Sequence, residues 1–251
     1  MGTVDPREGT SYMGGNLEDV ELSKENASIE ACKHVEDSLS EKGLIGLGTG
    51  STTKKFIDKC HSVLRKHLIA SSSYDTLLYI KQYGLTALDS LTLGQLDVYI
   101  DSADEVSGKL DMIKGRGGAF LREKTLASIA RRRIYIVDFT KYTGKKYLYI
   151  KPIPLEVTPF ALSYVLGKLS NSDAFKPEIR MGGGKDGPIM TDNGNYIVDL
   201  ILLKPVTDPK TTHYQLKSIH GVVETGIFPA EELVDIVIVG YPEKTLVFRR
   251  D

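Results

Sequence analysis

The sequence predicts an α/β fold: a Rossmann-like, mainly parallel sheet with helices on both faces, plus a smaller ferredoxin-like α+β domain. Two observations carry this reading. Between residues 44 and 138, short apolar runs alternate with amphipathic stretches of helical period, the pattern of βαβ units feeding a parallel sheet. Beyond Tyr147 the order becomes strand, helix, two strands joined by an Asn-Gly turn, helix, strand. That is the β-α-β-β-α-β order of a ferredoxin-like unit.

Ala27, Ala31, Val35 and Leu39 recur at four-residue intervals and predict a first amphipathic helix with Ser23 as its N-cap. A strand at 44–48 leads into a helix at 51–66, where Phe56, Cys60, Val63 and Leu64 share one face. Strand 68–71 and helix 74–83 follow, the latter stopped by Gly84. Strand 97–101, helix 119–131 and strand 133–138 complete the alternation. In the second unit, prolines break an edge strand at 151–159 before a helix at 159–170. Strand 177–182, a turn at 192–194, strand 195–201, helix 209–219 and strand 221–227 come next. Asn-Gly between two strands is a hairpin signal, so residues 191–195 are expected to be structural. The 181–187 loop is expected to be structural, with a place near the substrate as the alternative, and residues 234–240 are expected to rejoin the first sheet. The expected division is therefore 23–147 with 227–251 as the catalytic domain and 148–226 as the small domain. Residues 1–22 are expected to form a polar, flexible extension; they show no signal-peptide apolar core, and Pro6 spoils the myristoylation pattern begun by Met1-Gly2.

With 251 residues the chain can bury a substantial core, and 41% hydrophobic with 26% charged content fits a soluble globular protein. A net charge of −1 offers no electrostatic case for nucleic acid or a membrane as partner. The densest basic run, Arg131-Arg132-Arg133, reads as a solvated helix C-terminus. Cys32 and Cys60 fall in helical apolar patterns and read as core residues, not as a disulfide framework or nucleophiles. The histidines show no metal-ligand spacing, and no apolar run approaches the ~18 residues of a membrane span. A reduced, cytoplasmic protein is expected.

Chemistry concentrates in two segments. The first, GLGTGST at 46–52, joins a strand to a helix. Glycines admit a ligand close to the backbone, and the helix N-terminus offers unpaired N–H groups to an anion. Ser51 stands where a dinucleotide fingerprint needs glycine, and the P-loop pattern has no match. The hydroxyls of Ser51 and Thr52 suit one terminal phosphate, although a plain strand-to-helix turn fits the same residues. The second segment, DSADEVSGKLDMIKGRGGAFLREK at 101–124, crowds carboxylates, lysines and a glycine-rich turn behind a strand. Such convergence suits a small anionic substrate. Taken alone, Asp101 and Asp104 could also be a loop cap or a Mg²⁺ ligand pair, and Glu123 a helix-surface residue.

Together the segments resemble the type A ribose-5-phosphate isomerases, whose G-x-G-T-G-S-T, D-G-A-D-E and K-G-G-G-G-A-x-x-R-E-K motifs occur in this order. The chain carries GLGTGST at 46–52, DSADE at 101–105 and KGRGGAFLREK at 114–124. The resemblance runs on through Val137-Asp138 to Lys141, PLEVTP at 154–159, TDNGN at 191–195 and Gly221-Val-Val. Two positions depart from it. Ser102 and Arg116 replace glycines, and a side chain at positive φ would cost roughly 1 kcal/mol or more.

The resemblance implies aldose–ketose isomerisation of ribose 5-phosphate and ribulose 5-phosphate through an enediolate, in the non-oxidative pentose phosphate pathway. No cofactor and no metal is implied, and the assembly would be a homo-oligomer, a homodimer or a tetramer. By position in the motifs, Glu123 would be the base, while Lys114 with the N–H groups of Gly115, Arg116 and Gly117 would stabilise the enediolate. Asp101 and Asp104 would bind sugar hydroxyls, one of them assisting ring opening. Lys24, Thr49, Gly50, Ser51 and Thr52 would hold the phosphate, and Lys141 would contact the substrate. Amino-sugar-phosphate deaminases and coenzyme A transferases share this sheet layout, but their motifs are missing. A non-catalytic sugar-phosphate sensor would have lost the acid–base residues retained here.

Overall fold

The computed structural model describes residues 16–39, 43–88, 94–184 and 186–250. Most of the N-terminal extension, with Met1-Gly2 and Pro6, lies outside the described residues, as does Lys185 of the 181–187 loop. In chain order come α1 (Leu17–Glu36), β1 (Leu44–Leu47), α2 (Ser51–Leu64), β2 (Leu68–Ser71), α3 (Tyr74–Lys81) and β3 (Leu96–Asp101). Strands β4 (Glu105–Val106) and β5 (Met112–Ile113) precede α4 (Phe120–Ile129) and β6 (Ala130–Asp138). Next are β7 (Ile153–Val157), a 3-10 turn at Pro159–Ala161, α5 (Leu162–Leu169), β8 (Phe175–Ile179), β9 (Tyr196–Leu202), α6 (Pro209–Lys217) and β10 (Val222–Thr225). The chain closes with β11 (Ile227–Phe228), α7 (Ala230–Leu233), β12 (Ile236–Gly240) and β13 (Thr245–Arg249).

The first sheet has the order β13-β12-β6-β3-β1-β2, parallel except for the edge strand β13. Side chains alternate across it as a pleated strand requires. Val98, Ile100, Ile134, Ile136, Ile236 and Ile238 meet α1 and α2 on one face. Tyr99, Tyr135, Val137, Val237 and Val239 meet Phe120, Leu126 and Ala127 of α4 on the other. Both faces are thus apolar, which is why these strands read as unbroken hydrophobic runs. From β1 the chain passes to β2 on one side and then to β3 on the other. The carboxyl ends of β1 and β3 flank this reversal, the place where open α/β sheets leave a crevice for ligands.

The second sheet, β10-β7-β9-β8, is antiparallel and carries the expected β-α-β-β-α-β order, with Val165 and Leu169 of α5 and Leu216 of α6 on its apolar face. A third sheet, β11-β5-β4, joins the two units. Its two-residue strands are too short to show an alternation in sequence.

Several local expectations are corrected. The first helix starts at Leu17 and is capped by Asn16, whose side chain accepts from the Asp19 N–H. Ser23 is buried within that helix and donates to the Asp19 carbonyl. The basic run belongs to strand β6, not to a helix end: Arg133 forks onto Asp235, Arg131 donates to Gln95 and Arg132 to Ser38. Cys32 and Cys60 form a disulfide that ties α1 to α2, with Cα atoms 5.7 Å apart. Their 28-residue separation hid the pairing.

Candidate active site

A cavity of about 670 Å³ opens at the carboxyl ends of β1 and β3. Lys24, Thr49, Gly50, Ser51, Thr52, Asp104, Lys114, Gly115, Arg116, Gly117, Glu123 and Lys141 all line it, so the structure gathers every sequence-predicted site residue except Asp101. One end is the N-terminus of α2. Its N-cap, Gly50, has φ 122° and no side chain to fill the first turn, and no acidic residue occupies that turn. The free N–H groups and the dipole therefore face the cavity and favour an anion. Lys24 reaches the same end from α1, paired with Glu21 at 2.7 Å. The Thr49 hydroxyl is engaged by Ser72 and Ser73 at 2.9 and 2.7 Å, which binds the loop to the start of α3.

Asp101 sits beneath this loop instead of in the cavity. It is fully buried, and a Cβ at Gly48 would come within 1.8 Å of its Cγ, so only glycine lets the loop pass over it. Oδ1 accepts the N–H groups of Ser102 and Thr49 at 2.7 and 3.2 Å, and Oδ2 accepts the Tyr99 hydroxyl at 2.5 Å. In this arrangement its carboxylate is engaged by internal partners. Asp101 Oδ2 lies 2.6 Å from Lys114 Nζ and fixes that ammonium.

Lys114 follows β5 immediately, and its own N–H bonds the Gly226 carbonyl at 2.8 Å. Nζ donates to the Ser102 carbonyl at 2.5 Å and stands 3.1 Å from Glu123 Oε2. Burial opposes the charge on Lys114, but Asp101 and Glu123 outweigh it and hold the ammonium above its ordinary range. Glu123 lies in the first turn of α4, 3% exposed, with Oε2 close to Lys114 yet lacking an aligned hydrogen-bond donor. Burial pushes its pKa well up, Asp101 adds to the rise and Lys114 opposes it. A desolvated carboxylate beside a permanent cation is suited to taking a proton from carbon and returning it.

The glycine-rich turn completes the wall. Positive φ falls on Gly115 (104°) and Gly118 (76°), and neither Ser102 nor Arg116 adopts it, so both departures from the motif are free of backbone strain. The Arg116 N–H donates to Asp104 Oδ2 at 3.0 Å. Asp138, at the end of β6, lines the cavity and accepts the Thr140 N–H at 3.0 Å.

The 191–195 turn does more than join two strands. It is a hairpin turn, with Glu156 Oε1 accepting from Thr191, Asn193 and Asn195 at 2.9, 3.0 and 2.8 Å. Yet Asp192 also lines the cavity, and its Oδ2 accepts the Tyr74 N–H at 3.0 Å. Arg122, next to Glu123, donates to Asn193 Oδ1 at 2.7 Å and to the Asp192 carbonyl at 2.8 Å. The local Asn-Gly signal reports the turn but not where the fold delivers it.

A carboxylate and an ammonium at one end of a pocket, with an anion cradle at the other, can shift a proton between adjacent carbons of a small anionic substrate. That is the work of an aldose–ketose isomerase. The family model of ribose 5-phosphate isomerase A (phosphoriboisomerase A) matches residues 68–244. Ribose-5-phosphate isomerase A of Pyrococcus abyssi is 40% identical over 235 residues, covering 90% of this chain and 98% of the relative. The enzyme of Dictyostelium discoideum is 37% identical over 205 residues, covering 80% of this chain and 88% of its own. A solved D-ribose-5-phosphate isomerase in complex with phospho-erythronic acid superposes with a TM-score of 0.84 at 36% identity, covering 92% of this chain and all of the other. This chain belongs to the ribose-5-phosphate isomerase A family and is an isomerase.

Proposed function

We propose that the chain interconverts D-ribose 5-phosphate and D-ribulose 5-phosphate through an enediolate, as a step of the non-oxidative pentose phosphate pathway. The observation that carries this is the buried pair of Glu123 and Lys114, 3.1 Å apart in the cavity that the α2 N-terminus also faces. The phosphate binds at that N-terminus through Ser51, Thr52 and the backbone, with Lys24 beside it. Glu123 removes the proton from C2 of the open-chain aldose and delivers it to C1, while the proton of the C2 hydroxyl passes to the oxygen on C1. Lys114 and the turn at Gly115, Arg116 and Gly117 stabilise the oxygen that gains charge in between. Asp104, placed at the same wall, accepts from the sugar hydroxyls and from the anomeric hydroxyl during ring opening, and Lys141 contacts the substrate from the β6 end. Formation of ketopentose phosphate from ribose 5-phosphate in the presence of EDTA tests this reading, and no turnover would reject it.

The two sheets support a division into 148–226, which supplies Asp192, and a larger unit that supplies most of the site; the expected start of that larger unit at 23 moves to Leu17, because residues 17–22 belong to α1 and not to a flexible extension. A homo-oligomer is supported by the fully exposed Phe160 and the half-exposed Tyr164, one helical turn apart on the small unit. Among the described residues no helix is long and apolar enough to cross a membrane. The phosphorylated substrate supports a cytoplasmic location, where the Cys32–Cys60 bond would be exposed to reducing conditions.

A further inference from the structure

Arg180 follows the end of β8, and its guanidinium is gripped by Asp199 of β9, Nε to Oδ2 at 2.7 Å and Nη2 to Oδ1 at 2.5 Å. The remaining nitrogen, Nη1, donates to two successive carbonyls of the glycine-rich turn, those of Gly115 and Arg116, each at 2.9 Å. A trans peptide carries its C=O and N–H on opposite sides. Drawing both carbonyls toward Arg180 therefore turns the N–H groups of Arg116 and Gly117 the other way. The first reaches Asp104 Oδ2 at 3.0 Å. The second meets no acceptor among the described residues, on an exposed stretch that lines the cavity.

The turn needs this external hold. Glycine stands at 115, 117 and 118, so each peptide plane of the turn is flanked by a residue without Cβ and rotates at little steric cost. The Gly118 N–H to Gly115 carbonyl bond, at 3.0 Å, ties two of these planes, Gly115–Arg116 and Gly117–Gly118. The Arg116–Gly117 plane is secured by Arg180 alone among the described residues. Arginine suits the task because its planar fork, preset by Asp199, fixes two acceptors at once.

We infer that Arg180, held by Asp199, is a positioning residue that aims the Gly117 N–H at the developing enediolate oxygen and, through the Arg116 N–H, fixes Asp104. The inference rests on the isomerase reading and assigns part of its electrostatic stabilisation to the small unit. A donor aimed in advance at a developing charge acts on the transition state more than on bound substrate.

The test compares Arg180→Met, Arg180→Lys and Asp199→Asn with wild type, measuring kcat, KM and inhibition by phospho-erythronic acid and by inorganic phosphate. The acid places a carboxylate where the enediolate oxygens form, whereas phosphate probes only the α2 end. Arg180→Met should lower kcat by about 10- to 100-fold and weaken inhibition by the acid by a similar factor. Phosphate inhibition should stay within about threefold of wild type, and KM should rise by less than kcat falls. Arg180→Lys, with one point donor, and Asp199→Asn, with the clamp loosened, should fall between. These two variants decide the matter by the same ratio if Arg180→Met does not fold. Unchanged kcat and acid inhibition would overturn the inference, as would equal weakening of acid and phosphate, the mark of a general loosening. An inactive wild type would overturn the isomerase reading instead.

Discussion

Lys114 and Glu123 place opposite charges 3.1 Å apart with both side chains withdrawn from solvent. They come from different elements, Lys114 from the end of β5 and Glu123 from the first turn of α4, and only the packed fold brings them together. Burial favours the neutral form of Glu123, while Lys114 favours the ionised form that the proposed mechanism uses as base.

The pH profile should report this balance. Because the base must be ionised, kcat/KM falls as pH drops through the Glu123 pKa, which burial has raised. The acid limb is expected well above the ordinary glutamate value of about 4.3. Lys114→Met removes the opposing cation, so the limb should move higher still and kcat should fall by about 10²-fold or more. An acid limb at the ordinary value in wild type would remove Glu123 from the proton path.

Ser51→Ala with Thr52→Ala should raise KM far more than it lowers kcat. These hydroxyls flank the α2 N-terminus, far from the bonds that change, so their loss weakens ground and transition states alike. Steady-state kinetics would contradict the phosphate assignment if kcat collapsed while KM held.

Glu105→Gln tests a structural acid lying beside the catalytic motif. Glu105 is 1% exposed and accepts the N–H groups of Tyr149, Ile150 and Lys151 at 2.8, 2.8 and 2.7 Å. It thereby grips the segment that leads into β7. A glutamine has one acceptor oxygen, so at least one buried N–H is left unpaired, at a cost of about 1–3 kcal/mol. Denaturant unfolding should show that loss, and wild-type stability would contradict it.

Much of this site could be read locally, and the limits have physical causes. GLGTGST and the 101–124 segment announce themselves because each puts glycine and polar groups at a strand end within a few residues. The burial of Asp101 depends on Gly48, far back in the chain, and the grip on Gly115 and Arg116 comes from a different sheet. No period or motif encodes such contacts. Arg131-Arg132-Arg133 misled because β6 begins directly where α4 ends, so charge at the junction looked like a helix terminus. The pairing of Cys32 with Cys60 likewise needs the α1–α2 packing, which spacing alone does not reveal.

Reduction provides a direct check of that pairing. A bridge between residues 28 apart in sequence should stabilise by roughly 3–4 kcal/mol, so reductant is expected to lower Tm by about 6–16 °C. Cys32→Ala should match the reduced protein and no longer respond to reductant. Identical melting with and without reductant in wild type would contradict the bond.

The central claim is that Glu123 carries the proton between C1 and C2, and isotope exchange with Glu123→Gln tests it most directly. The amide keeps the shape and removes the basicity, so turnover should fall by roughly 10²-fold or more while substrate still binds. In D₂O, wild type should convert ribulose 5-phosphate to ribose 5-phosphate carrying deuterium at C2, and Glu123→Gln should incorporate almost none. Wild-type turnover and exchange in Glu123→Gln would contradict the account and move the base to another carboxylate, Asp104 first.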